Sequence, residues 1–89
     1  MQVLLHHIAN KYLNRLNATD RERIRVALKN LEKEPPKGDI KQYEGSPGIW
    51  RLKASNFRIL YKIEGNIIFV THIEPRSQAY TKKTRTRRG

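Results

Sequence analysis

Ile49-Trp50-Arg51-Leu52-Lys53, Phe57-Arg58-Ile59-Leu60-Tyr61-Lys62-Ile63 and Ile67-Ile68-Phe69-Val70-Thr71-His72-Ile73 are three closely spaced runs, and their reading decides the fold. Each is short, rich in β-branched and aromatic residues, and bounded by turn formers, as strands are. Gly65-Asn66 between the last two is a two-residue hairpin signal. Ala54-Ser55-Asn56 suits a turn between the first two. The third run is almost continuously apolar, which predicts a strand at the sheet centre or buried on both faces. Together the runs predict a three-stranded antiparallel meander.

Upstream, the apolar period changes from strand-like to helical. Ile8, Tyr12, Leu13 and Leu16 share one helical face, and Asn17-Ala18-Thr19-Asp20 breaks that helix. Thr19 and Glu22 have capping-box spacing, so the second helix is expected to start there. Ile24, Ala27, Leu28 and Leu31 form its apolar stripe, and Arg21, Arg23, Arg25, Lys29 and Glu32 lie off it. Pro35-Pro36 ends it, because proline has no N–H to donate. Residues 35–48, with three prolines and three glycines, read as a turn-rich connection. Val3 to His6 is either an edge strand or the start of the first helix. The expected architecture is α+β: two N-terminal antiparallel helices packed on a twisted antiparallel sheet of three or four strands. One domain is expected over residues 1–80, followed by a basic tail over 81–89.

Charge is the strongest global signal. The chain of 89 residues carries 19 basic and 8 acidic side chains, for a net +11. Residues 1–40 hold a balance of +3 and residues 41–89 a balance of +8. A basic surface of this density attracts a polyanion through counterion release. Cysteine is absent, which removes disulfides and thiolate metal sites and fits a reducing cytoplasm. The N-terminal stretch lacks the basic region and long apolar run of an ordinary signal peptide. No run approaches the roughly 20 apolar residues that span a bilayer.

The acidic residues are scattered, and His6, His7 and His72 show no metal-ligand spacing, so neither a metal nor a cofactor is expected. The strands instead carry Arg51, Lys53, Arg58 and Lys62, and Arg76 follows them. Side chains alternate along a strand, so Arg51 and Lys53 share a face, while Trp50 and Leu52 turn toward the helices. If Lys53 lies opposite Arg58 across the turn, Arg58 and Lys62 join that face, which is then expected to be nearly all cationic. An anion between such cations relieves their repulsion. Preorganised cations also suit phosphoryl transition states, and a lysine crowded by cations can act as a base. Tyr80 adds an aromatic face for a base. A basic sheet of this kind would equally suit simple RNA binding.

Ile40-Lys41-Gln42-Tyr43-Glu44-Gly45, Pro47-Gly48-Ile49-Trp50-Arg51-Leu52-Lys53, Asn56-Phe57-Arg58-Ile59-Leu60-Tyr61-Lys62-Ile63 and Pro75-Arg76-Ser77-Gln78-Ala79-Tyr80 together resemble the RelE/ParE toxin superfamily. Tyr43 stands where leucine is usual, and Pro75 replaces a frequent histidine. The RelE branch of that family cuts messenger RNA in the ribosomal A site with the RNA's own 2′-hydroxyl and no metal. The resemblance implies such an endoribonuclease here. Arg51 and Lys53 match basic strand positions of the active site, with Lys53 as base or transition-state stabiliser. Arg58 matches the arginine holding the scissile phosphate, Arg76 the proton donor or leaving-group stabiliser, and Tyr80 the stacking tyrosine. Lys41 and Lys62, with Lys82, Lys83 and Arg85 of the tail, are the further expected RNA and ribosome contacts. Arg51 stands where some members have lysine, and arginine keeps its proton, so a base role moves to Lys53. The implied partners are the 70S ribosome, messenger RNA and a small acidic antitoxin. The ParE branch shares the fold but inhibits DNA gyrase, and a non-catalytic RNA-binding module is a third alternative.

Overall fold

The computed structural model describes residues 1–76. In chain order these form β1 (Gln2–Leu5), α1 (His7–Arg15), α2 (Ala18–Leu31), β2 (Asp39–Gln42), β3 (Trp50–Ala54), β4 (Phe57–Glu64) and β5 (Ile67–Pro75). The strands build one five-stranded sheet in the order β1-β5-β4-β3-β2. The expected meander is β3-β4-β5, antiparallel throughout. Lys53 lies opposite Arg58 and Ala54 opposite Phe57, so Ser55-Asn56 closes the first hairpin. Gly65 at φ 60 closes the second, in the left-handed region that glycine enters without steric cost.

Two strands flank the meander, giving five where three or four were expected. β1 resolves the ambiguity of Val3 to His6: it is an edge strand, but it runs parallel to β5, with Val3 opposite Ile68. β2 lies inside the stretch read as a turn-rich connection. Only Ile40 of its four residues is apolar and half-buried, too short an alternation to stand out among prolines and glycines. Gly38, at φ +139, leads into it, and a Cβ there would meet Leu52 Cδ1 at 2.6 Å. The close approach of backbone to Leu52 therefore requires glycine. β5 does lie inside the sheet, but only one of its faces is buried: Ile68, Val70 and Ile73 are covered, while Ile67 and Phe69 are half-exposed on the other.

The helices also begin differently from the expected capping box. Asn17 is the N-cap of α2, and its side chain accepts from Asp20 N at 2.8 Å. Thr19 already lies in the first turn, because asparagine caps better than threonine and closes the turn two residues earlier. Asp20 then sits at the positive end of the helix dipole. α1 is capped by His6, whose Nδ1 accepts from Ile8 N at 3.2 Å, which gives that histidine a structural role.

Both helices cover the same sheet face. Ala9, Leu13, Ile24, Leu28 and Leu31 cluster with Leu52, Ala54, Phe57, Ile59, Tyr61, Ile68, Val70 and Ile73. Trp50 packs half-buried against this core, as the alternation predicts. Burial pushes the Tyr61 phenol up from its ordinary value, so this hydroxyl stays neutral in the core. Desolvation raises the Tyr12 phenol too, helped by the carboxylates of Asp20 and Glu74. The helices cover one face, which leaves the other for Arg51, Lys53, Arg58 and Lys62.

Ile59, wholly buried at the middle of β4, is the most direct test of this packing. Ile59→Ala is expected to lose about 2–5 kcal/mol of stability. Urea denaturation would show it as a lower midpoint with an unchanged slope.

Candidate nucleic-acid interface

The register converts the alternation of β3 and β4 into a two-dimensional pattern. Across the open face, Asp39, Lys53, Arg58 and Glu74 form one row, one residue from each of β2, β3, β4 and β5. The next row holds Lys41, Arg51, Leu60 and His72. Arg51, Lys53 and Arg58 are thus brought together as the sequence predicts, with Lys41 beside Arg51. Lys62 stands farther along β4, where it pairs with Phe69 and lies 5.9 Å from that ring's centre.

The face is not purely cationic, which corrects one expectation. Glu74 Oε2 lies 3.0 Å from Arg58 Nε. This contact is an ion pair without hydrogen-bond alignment, since the buried Nε–H finds no acceptor. Asp39 Oδ2 lies 3.5 Å from Lys53 Nζ, so Lys53 is not surrounded by cations alone. Lys62 Nζ has Glu64 at 3.3 Å. The two carboxylates of the first row flank a cationic centre. Asp39 lies on β2, which has no strand signal in the sequence, and the partner of Glu74 follows only from register. Among the described residues, Lys41 and Arg51 have no carboxylate within ion-pair distance.

An open cleft of about 470 Å³ lies at this centre, lined by Lys41, Gln42, Tyr43, Glu44, Arg51 and Arg58. Its size suits one ligand moiety on the order of a nucleotide. Two guanidiniums line it, and each can grip a phosphate through paired donors. A larger concavity of about 700 Å³ runs along α2 past Val26 and Ala27, but its lining is mostly apolar and includes one cation, Arg23. The smaller cleft is the better match to a polyanion.

Arg76 is placed elsewhere. Its Nη1 donates to Ser55 O at 2.9 Å and its backbone N–H to Asn56 O at 2.8 Å, so it braces the β3–β4 turn. Arg23 Nη1 adds a contact of 3.4 Å to Ser55 Oγ. Tyr80, Lys82, Lys83 and Arg85 lie outside the described residues. His72 is exposed on the open face. An extra residue, Thr71, is inserted in β5 opposite Leu60/Tyr61. This bulge puts Thr71 and His72 on the same side, and their side chains meet at 3.2 Å. Among the described residues, no group of three or more His, Asp or Glu could hold a metal ion. No described helix is long and apolar enough to cross a membrane.

A helical hairpin on one sheet face and a cleft lined by Lys41, Arg51 and Arg58 on the other define a small α+β domain. The model of the ParE toxin of type II toxin-antitoxin systems, parDE, matches residues 3–80. The chain belongs to that family, within the RelE/ParE toxin superfamily. No curated protein sequence matches it. Its fold is similar to RelE in the archaeal RelE-RelB complex of Pyrococcus horikoshii, at 24% identity and a TM-score of 0.71 over 86% of this chain and 96% of that one. The isolated E. coli RelE toxin is similar at 21% identity and a TM-score of 0.70, over 96% of each chain. RelE from the Methanococcus jannaschii RelB-RelE antitoxin-toxin complex matches at 23% identity and a TM-score of 0.69, over 89% of this chain and 96% of that one.

The charge row makes a prediction of sign. Removing Arg58 is expected to weaken binding of a single-stranded polyanion and to lower the salt slope of log K by about 0.7. Glu74→Gln is expected to strengthen binding, because it removes the carboxylate that competes for Arg58. Fluorescence anisotropy over a salt series measures both.

Proposed function

We propose that this toxin is a ribosome-dependent endoribonuclease that cuts messenger RNA in the A site. The observation that carries the reading is the gathering of Arg51, Lys53 and Arg58 on the open face, with the cleft between Lys41, Arg51 and Arg58. In the reaction, the RNA's 2′-oxygen attacks the adjacent phosphorus and loses its proton, while the 5′-oxygen leaves and gains one. The products are a 2′,3′-cyclic phosphate and a 5′-hydroxyl. Arg58 holds the phosphate and Arg51 shares the charge that builds on its oxygens, which is where fixed cations lower the barrier. Lys53 supports the attacking side as base or stabiliser. Arg76 serves the leaving oxygen, which requires it to exchange Ser55 O for the RNA. Tyr80 stacks a base. Lys62, Lys82, Lys83 and Arg85 extend the contact to the ribosome.

The weak intrinsic equipment for proton transfer supports ribosome dependence. Arginine stays protonated, so much of the rate must come from placing the 2′-oxygen in line, which a codon held in the A site supplies. The partners in this reading are the 70S ribosome, messenger RNA and, as in the RelB-RelE complexes of the similar structures, a cognate antitoxin. An acidic antitoxin segment complements the net +11. The site of action is then the cytoplasm. The competing reading, inhibition of DNA gyrase, draws on the match to the ParE toxin model.

Primer extension on a message in a translating extract separates the two. Cuts inside codons that require ribosomes and disappear with Arg58→Ala are expected. Intact message with continuing translation would sink the nuclease reading, and a DNA supercoiling assay would then test gyrase.

A further inference from the structure

Tyr43 is not absorbed by the chemistry above, and neither are its neighbours Gln42 and Glu44. All three line the cleft that Arg51 and Arg58 share. Tyr43 follows β2 directly and is half-buried, yet it contributes nothing to the core cluster. Its backbone is fixed on both sides: Tyr43 N donates to Ile49 O at 2.8 Å, and Tyr43 O accepts from Ser46 N at 3.3 Å. The aromatic side chain therefore stands on a closed loop neck rather than on a loose segment. A leucine, the residue usual at this position in the resembling sequences, would present an aliphatic wall without a π-face.

From these contacts we propose that the cleft is a nucleobase subsite in which Tyr43 stacks a base of single-stranded RNA whose phosphate lies on Arg51 and Arg58. The inference rests on the reading of the basic face as an RNA site and deepens it. Phosphate recognition by arginine positions a strand without distinguishing its bases, whereas an aromatic face beside it holds a base whatever its identity. Tyrosine loses little conformational entropy on ordering, and a backbone held at both ends lowers the cost further. Glu44 lines the same cleft, and its carboxylate can accept hydrogen bonds from the base edge. The cleft thus offers a counterpart to each part of a nucleotide: cations for the phosphate, an aromatic ring for the base and an acceptor for the base edge.

The test uses the full chain and two short labelled strands, each free of reactive 2′-hydroxyls. One is a 2′-O-methyl oligonucleotide, and the other is an abasic sugar-phosphate strand of the same length. Anisotropy is measured with wild type, Tyr43→Ala, Tyr43→Phe and Arg58→Ala. Tyr43→Ala is expected to bind the base-bearing strand roughly ten-fold more weakly and the abasic strand as wild type does. Tyr43→Phe is expected to keep both affinities, which also shows that the loop still folds. Arg58→Ala is expected to weaken both strands. Unchanged binding of the base-bearing strand by Tyr43→Ala, or an equal loss on both strands, overturns the subsite. If Arg58→Ala still weakens both strands in that case, the basic face survives as an RNA site and only the stacking is wrong. If Arg58→Ala weakens neither, both readings fall.

Discussion

The Ser55-Asn56 turn is the constraint on which the rest of the structure depends. It sets Ala54 opposite Phe57 and Lys53 opposite Arg58. A slip of one residue would move every side chain of β4 to the other face. Arg58 would enter the core, and Ile59 would face solvent. Ser55 adopts φ 57, a conformation uncommon outside glycine and asparagine, so the turn needs support from its surroundings. Arg76 and Arg23 supply it through Ser55, and the Arg76 backbone through Asn56 O. Packing on one face and charge on the other are therefore consequences of one hairpin.

The same register explains how a sheet tolerates clustered cations. Like charges on adjacent strands repel, and at this position Lys53 and Arg58 are direct neighbours. Asp39 and Glu74 close the row at its two ends and offset that repulsion in the free protein. The ion pairs are partly exposed, so each contributes little stability. Their larger effect is on readiness for a ligand. A phosphate approaching Arg58 competes with a carboxylate already there, while Arg51 and Lys41 have no carboxylate within ion-pair distance among the described residues.

The central meander was legible because three of its physical signals agree. Strand-like composition, a two-residue turn at Gly65-Asn66 and the alternation of Arg51 and Lys53 with Trp50 and Leu52 all imply the same pairing. Much of the open face followed from that alternation alone. β2 was not legible, since one apolar residue in four gives no period and its neighbours favour turns. With β2 went Asp39, and so the partner of Lys53. Glu74 was hidden for another reason: cross-strand partners follow from register, and the bulge at Thr71 shifts it midway along β5. The start of α2 is ambiguous in the sequence because two capping residues, Asn17 and Thr19, lie within three positions, and the capping-box pattern points to the weaker one.

The face opposite the helices is proposed to receive the RNA backbone. A cryo-electron microscopy structure of the protein on a ribosome, with a 2′-O-methyl codon in the A site to prevent cleavage, tests it most directly. The expected result is that the phosphate of that codon lies within hydrogen-bond distance of Arg58 and Arg51, with the helices turned outward. A complex in which the helical face meets the codon, or in which the cleft faces solvent, would contradict it.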